Sequence, residues 1–300
     1  MNRVFFKSSA AALTGVAAPG RVVRQSRRNA WLLLGLLLLG IGLAFPAGSQ
    51  AQTSEAEKAE TLRKAAQNPI ASLISVPFQW NSNFNIGPHD RTQSVLNIQP
   101  VVPVRAHEDW NLIMRFITPV VNQPDTAAPE KGTFGLGDLN PTFFLSPSKT
   151  GKLIWGFGPA LVLPTATDPA LGQGKLSIGP SFVALVQSKK WTLGALTSNV
   201  WSVAGKADRA EVNQFLLQYF VNYNMARGYY LTFQPIITAN WKAEEGEKWT
   251  VPFGGGLGRV FKLGPQPVNI NFQAYYTPVR PTGASSFTIR AQYTMLYPKS

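Results

Sequence analysis

From Leu73 to Tyr297 the chain alternates apolar and polar residues with a period of two. Ile74, Val76, Phe78, Trp80, Phe84 and Ile86 share one face, and Ser75, Gln79, Asn81, Asn83 and Asn85 share the other. The pattern recurs in Trp110–Phe116, Phe215–Tyr223, Val268–Tyr276 and Phe287–Tyr297. It resolves into twelve segments: 73–86, 92–105, 109–121, 133–146, 152–164, 174–187, 190–203, 212–225, 228–242, 248–262, 267–278 and 285–297. Strands of soluble domains average about five or six residues, whereas a strand that crosses a bilayer at a steep tilt needs about 9–11. The expected fold is therefore all-β: a transmembrane antiparallel up-and-down β-barrel of twelve strands, with a short helical segment before it.

An even strand number places both barrel ends on one side of a membrane. Connections then sort by parity. Those expected outside include Asn122–Gly132, Thr165–Gln173, Ala204–Glu211 and Arg280–Ala284; those expected on the periplasmic side, such as Ser188–Lys189 and Met225–Arg227, are shorter. The loop Thr165–Gln173, and the one holding Gln123-Pro124-Asp125, are candidates to fold inward as constrictions. Amphipathic aromatics favour the headgroup level. Trp110, Trp155, Trp191, Tyr223, Tyr229, Tyr230 and Tyr297 are expected on the periplasmic rim, and Trp201, Trp241 and Trp249 on the outer one. The last strand ends on an aromatic, the kind of terminus that outer-membrane assembly machinery reads.

Eight prolines fit such a wall badly: Pro77, Pro100, Pro119, Pro141, Pro159, Pro180, Pro235 and Pro252. Proline cannot donate to a ladder and a closed barrel has no edge to hide it. Bulges or kinks are expected there; the sharper alternative is a lateral gap through which an apolar solute passes into lipid.

Residues 53–68 are expected to be helical: Ser54 and Glu57 form a capping box, Ala56, Ala59, Leu62 and Ala66 recur at helical spacing, and Pro69 stops the run. The segment 52–72 reads either as a loosely held periplasmic element or as a plug. Before it, residues 1–51 have the three parts of a secretory signal: a basic region ending at Arg27-Arg28, a Leu-rich run from Ala30 to Phe45, and small residues up to an expected cleavage after Ala51. The barrel then occupies 73–300.

The net charge of +13 suggests nucleic acid until the charges are located. Six basic residues and no acidic one lie in 1–51, leaving 22 basic and 15 acidic residues dispersed without a basic stripe, so no nucleic-acid partner is expected. There is no cysteine, which excludes disulfides, thiolate metal sites and a lipidated cysteine. His89 and His107 fall in expected turns, Gly254-Gly255-Gly256-Leu257-Gly258 lacks the Lys and helix of a phosphate loop, and no His and carboxylate spacing suits a metal. The reading is a non-enzyme without cofactor or metal. The informative polar residues are those on the expected lumen face: Arg115, Asp138, Asn140, Gln214, Gln218, Asn222 and Arg290, with Arg115 and Asp138 placed to pair across adjacent strands. Charges there set selectivity or serve as structural pairs.

Four runs carry a family resemblance: Asn68-Pro-Ile-Ala-Ser-Leu-Ile-Ser-Val-Pro-Phe-Gln, Asp90-Arg-Thr-Gln-Ser-Val-Leu-Asn-Ile-Gln-Pro-Val, Phe134-Gly-Leu-Gly-Asp-Leu-Asn-Pro-Thr-Phe-Phe-Leu-Ser-Pro and Trp249-Thr-Val-Pro-Phe-Gly-Gly-Gly. They resemble a group of proteobacterial outer-membrane transporters, some labelled misleadingly "neuromedin U", that are distantly similar to proteins encoded with phenol meta-cleavage pathways. The resemblance implies an outer-membrane location among lipids and passive passage of small, hydrophobic or aromatic solutes. A twelve-stranded lumen is narrow, and the other function class consistent with the residues is a structural or adhesive barrel with a closed lumen. Oligomeric state is not legible.

Overall fold

The computed structural model describes residues 57, 60–126, 132–149 and 151–298. The expected signal peptide, its cleavage at Ala51 and the start of the helical segment lie outside them. Fifteen strands form one antiparallel sheet: β1 (Ile74–Ile86), β2 (Arg91–Ile98), β3 (Val101–Arg105), β4 (Trp110–Pro124), β5 (Gly132–Leu136), β6 (Asn140–Pro147), β7 (Leu153–Val162), β8 (Lys175–Gln187), β9 (Trp191–Gly205), β10 (Asn213–Asn224), β11 (Tyr229–Phe233), β12 (Ile236–Asn240), β13 (Trp249–Leu263), β14 (Gln266–Val279) and β15 (Phe287–Tyr297). Three pairs, β2/β3, β5/β6 and β11/β12, are single wall strands interrupted once, so the wall has the twelve strands expected. It closes where β1 pairs with β15, from Ile74 opposite Tyr297 to Phe84 opposite Phe287. Closure leaves no edge, the condition for strands to cross a membrane. Among the described residues no helix is long and apolar enough to do so.

The period of two sets the faces. On β1, Gln79 and Asn81 are buried inside while Trp80 is 48% exposed outside. Phe253 (66%), Phe272 (56%) and Phe157 (45%) stand on the same outer surface, as do Ile178, Phe182 and Leu257. An apolar belt on this scale is untenable in water and suits a bilayer core. Aromatics flank it. Trp110 meets Trp155 edge-on at 5.9 Å near the rim of short turns, and Trp241 meets Trp249 edge-on at 5.3 Å near the rim of long loops. Tyr230 departs from expectation. Its neighbour Tyr229 takes the outward position under Arg259, so Tyr230 faces inward, 1% exposed, and its hydroxyl donates to Asn269 Oδ1 at 2.8 Å.

The prolines act unequally. Pro77, Pro119 and Pro141 stay in register opposite Thr294, Asn97 and Phe116, and Pro252 lies in a bulge between Val251 and Phe253. Pro100 and Pro235 break their strands. Pro159 and Pro180 stand opposite each other in an unbroken β7–β8 ladder. An antiparallel residue turns its N–H to one neighbour only, and here the missing donors fall on the outer seams. The β6–β7 ladder keeps only Thr142–Ala160 and Leu145–Phe157, and the β8–β9 ladder skips residues 179 and 180. Side-chain hydroxyls bridge both seams: Ser146 donates to the Trp155 carbonyl at 2.8 Å and Ser181 to the Thr197 carbonyl at 3.1 Å. Outside, the dent is an apolar groove of about 690 Å³ bordered by Phe157, Pro159, Ile178, Pro180, Phe182 and Phe215.

Inside the short-turn end lies the chain that precedes β1. Residues 60–66 are helical. Arg63 Nη1 donates to the Met225 carbonyl at 3.0 Å, Gln187 Nε2 to the Lys64 carbonyl at 2.8 Å, Gln67 Nε2 to Asn224 Oδ1 at 2.9 Å, and Thr192 Oγ1 to Gln67 Oε1 at 2.8 Å. Asn68 Oδ1 accepts from the Ile70 amide at 3.0 Å and turns the chain after Pro69. Ile70 then packs among Val101, Ile113, Phe144, Val183, Leu185, Leu196 and Phe220, while Ala71 and Leu73 join Tyr230, Val260 and Leu296. The Ala-rich helix face, with Leu62, Ala65 and Ala66, covers the second cluster.

Two substitutions test this packing. A Cβ at Gly179 would lie 1.7 Å from the Asn199 carbonyl oxygen, against backbone that cannot move without parting β8 from β9. Gly179→Ala is expected to cost about 1–3 kcal/mol, read as a lower denaturant midpoint of the heat-modifiable folded band. Gly151→Ala, with open space around it, leaves the midpoint unchanged. Ile70→Ala removes a buried side chain and is expected to cost about 2–5 kcal/mol of local stability. Amide exchange should then quicken across 60–73 and remain slow in β8 and β9; uniform quickening would show that the segment and wall are one cooperative unit.

Candidate functional site in the lumen

Amides are the recurrent polar lining of the lumen above the helical segment, interspersed with aliphatic residues such as Leu161, Leu196 and Ile236. Gln79 and Asn81 come from β1, Gln218 and Asn222 from β10, and Asn269, Asn271 and Gln273 from β14. Amides suit this wall because each both donates and accepts, so successive inward side chains, two residues apart on one strand, can satisfy one another. Gln273 Nε2 donates to Asn271 Oδ1 at 2.6 Å, Gln79 Nε2 to Asn81 Oδ1 at 3.4 Å, and the Tyr275 hydroxyl to Gln273 Oε1. Cavities of about 120, 270 and 360 Å³ lie between them, and Gln79 borders all three.

Two arginines enter this amide field. Arg115 leaves β4 between Val101 and Thr142 and donates from Nη2 to Gln99 Oε1 at 2.8 Å. Arg290 leaves β15, donates from Nε to Asn81 Oδ1 at 2.9 Å and from Nη1 to the Gln234 carbonyl at 3.3 Å, and lies over the Tyr275 ring, 5.0 Å from its centre. Both glutamines precede strand-breaking prolines. At Gln99-Pro100 the Gln99 amide still donates to the Pro77 carbonyl at 2.9 Å and the Pro100 carbonyl accepts from the Phe116 amide at 3.0 Å, and the Gln99 side chain alone enters the lumen. At Gln234-Pro235 the ladder stops and the Gln234 carbonyl is free to accept from Arg290. Gln234 also donates from Nε2 to Asn222 Oδ1 at 3.1 Å, so one break ties β10 to β15 across the interior. Neither arginine has a carboxylate partner among the described residues.

The expected Arg115–Asp138 pair does not form. Arg115 stands opposite Thr142, four residues along the wall from Asp138, or roughly 13 Å at strand rise. Asp138 lies instead in the interruption between β5 and β6. There Oδ1 accepts from the Ala166 amide at 3.1 Å and Oδ2 from the Gln173 amide at 2.6 Å. It therefore closes the ends of the 165–173 loop and lies away from Arg115. Arg209 fastens that loop from the far side through the carbonyls of Pro169, Gly172 and Gln173. Gln173 Nε2 reaches Gln214 Oε1 at 3.2 Å, so the loop folds inward over the mouth.

The other expected lumen residues are distributed along the channel axis. Gln214 lies at the mouth beneath the loop. Asn140 borders the 270 Å³ cavity and donates to the Asp138 carbonyl at 2.7 Å. Gln218 borders both cavities that Arg115 touches. Asn222 is fully buried beside Gln234, with Nδ2 unpartnered. Gln79, Gln99 and Gln234, which hold the network together, were not among the expected residues; the repeated Gln-Pro-β-branched triplets at 99–101 and 234–236 are the signal for two of them. His89 and His107 lie in exposed turns, and no group of three or more His, Asp or Glu among the described residues is placed to hold a metal.

No family model matches the sequence, and no curated protein matches it. Solved structures do match in fold. An outer membrane channel from Pseudomonas putida F1 superposes with a TM-score of 0.59 at 15% identity, over 75% of this chain and 94% of that one. The NanC porin gives 0.48 at 10% identity over 75% and 100%, and a Salmonella typhi outer membrane phospholipase gives 0.42 at 9% over 75% and 91%. The likeness to the Pseudomonas putida channel is one of fold: a closed antiparallel barrel of the transmembrane kind.

Proposed function

We propose that the protein is an outer-membrane channel that passes small solutes passively and is closed at its short-turn, periplasmic end by residues 60–73. The observation that carries this reading is the contrast between the two wall surfaces: an apolar belt outside, and hydrogen-bonded amides and arginines bordering a series of cavities inside. A barrel serving only as a scaffold gains nothing from polar cavities, since burying polar groups costs free energy unless they are paired or wet. Delivery by the leader and folding by outer-membrane assembly machinery belong to the same reading. The family resemblance points to hydrophobic or aromatic compounds as the solutes, and the apolar groove at Pro159 and Pro180 gives such compounds a surface on the lipid side.

The packed segment favours the second reading, a structural barrel with a closed lumen. The two separate in planar bilayers. Arg63→Ala with Gln67→Ala removes three of the polar ties between segment and wall and should raise single-channel conductance several-fold. Gln67→Cys with Thr192→Cys, introduced into a chain free of cysteine and joined by a short bis-maleimide, should hold conductance near zero, with normal heat-modifiable migration in every case. Folded protein that conducts in none of these forms would be the structural barrel.

A further inference from the structure

Charge in the wall has one sign. The fifteen strands contain five arginines and two lysines and not a single Asp or Glu. The acidic residues among the described ones lie in turns, loops and the N-terminal helix. Asp138, buried at the interruption between β5 and β6, accepts from two backbone amides and makes no contact with either lumenal arginine.

Arg115 and Arg290 make the asymmetry matter, because neutral oxygens alone hold them. Arg290 is 8% exposed. A guanidinium carries five N–H donors. Arg115 spends one nitrogen on Gln99 and Arg290 two on Asn81 and Gln234. Both side chains line the cavities, Arg115 those of 120 and 270 Å³ and Arg290 that of 360 Å³. Two enclosed cations without counter-ions, each bordering water-sized space, attract anions into the lumen. Gln79 borders the cavities of both, so an anion leaving one arginine meets the next across a single amide.

We propose that Arg115 and Arg290 form an anion-binding relay and that the channel passes small carboxylates. A carboxylate matches the planar edge of one guanidinium, and Val95, Ile236 and Pro252, which border the cavity of Arg290, can receive a small apolar body. The proposal rests on the channel reading for transport but not for binding. Titration of the folded protein in detergent micelles with benzoate should show saturable binding, and the neutral isostere benzamide should show none. Arg115→Gln and Arg290→Gln should each weaken benzoate at least tenfold, whereas Arg115→Lys and Arg290→Lys, which keep the charge but not the planar edge, should weaken it less. In bilayers under a potassium chloride gradient, the reversal potential should report anion preference, lost in the double glutamine variant. Benzoate binding without conductance would keep the site and end the channel reading. Conductance without anion preference, with equal binding of benzoate and benzamide, would keep the channel and overturn the site. The wild-type comparison decides even if a glutamine variant does not fold.

Discussion

The constraint on which the structure depends is that a strand inside a bilayer has no water to satisfy its amides. Every N–H must find a partner within the protein. Closure of β1 onto β15 meets this at the ends of the sheet. It leaves the prolines as points where the rule is strained, and the fold treats them in two ways. Opposed Pro159 and Pro180 are mended locally by the hydroxyls of Ser146 and Ser181. At Pro100 and Pro235 the strands are interrupted, and the Gln99 side chain and the Gln234 carbonyl turn inward to hold the two lumenal arginines. What weakens the wall thus organises the interior.

The interior has a second constraint, its volume. A wall of twelve strands encloses more space than its own side chains fill. At the short-turn end the N-terminal segment fills it, and there the inward residues become apolar. Val183, Leu185 and Phe144 face Ile70, not water. Further along, the filling stops and amides replace hydrophobes. The lumen therefore has a dry, packed end and a polar, cavitated end, and the change follows the chain that occupies it.

This explains which parts were legible in the sequence. Alternation gave the strand number and faces because lipid and lumen differ in polarity along most of the wall. It failed where they do not: Phe182-Val183-Ala184-Leu185-Val186 is a continuous apolar run because lipid lies outside it and Ile70 inside. The pairing of Arg115 with Asp138 was a plausible guess from adjacency, yet register along the wall is set by the ladder, and the interruption at 137–139 carries Asp138 to the loop instead. Tyr230 read as a rim aromatic because its place along the strand was right; its side of the strand was decided by Tyr229. The helix was visible as a pattern, but its place was not, since an Ala-rich face does not reveal whether a barrel will receive it.

The packed end and the arginines meet in one place. The cavity that Arg115 shares with Gln218 has Ala65, Ala66, Gln67 and Asn68 as its floor. Under the proposed reading, a solute that reaches Arg115 stands directly on the segment that bars its exit. Passage then requires the segment to give way, and what resists is a short set of polar ties at Arg63, Gln67 and Lys64 together with the apolar seat of Ile70. The neutral hydrogen bonds among these contribute about 0.5–1.5 kcal/mol each and the charged Arg63 one about 1.5–3 kcal/mol, and water entering the lumen replaces them at little loss. The apolar seat is different, because water gives no substitute for it. Ile70, more than the helix before it, therefore sets how firmly the channel is shut.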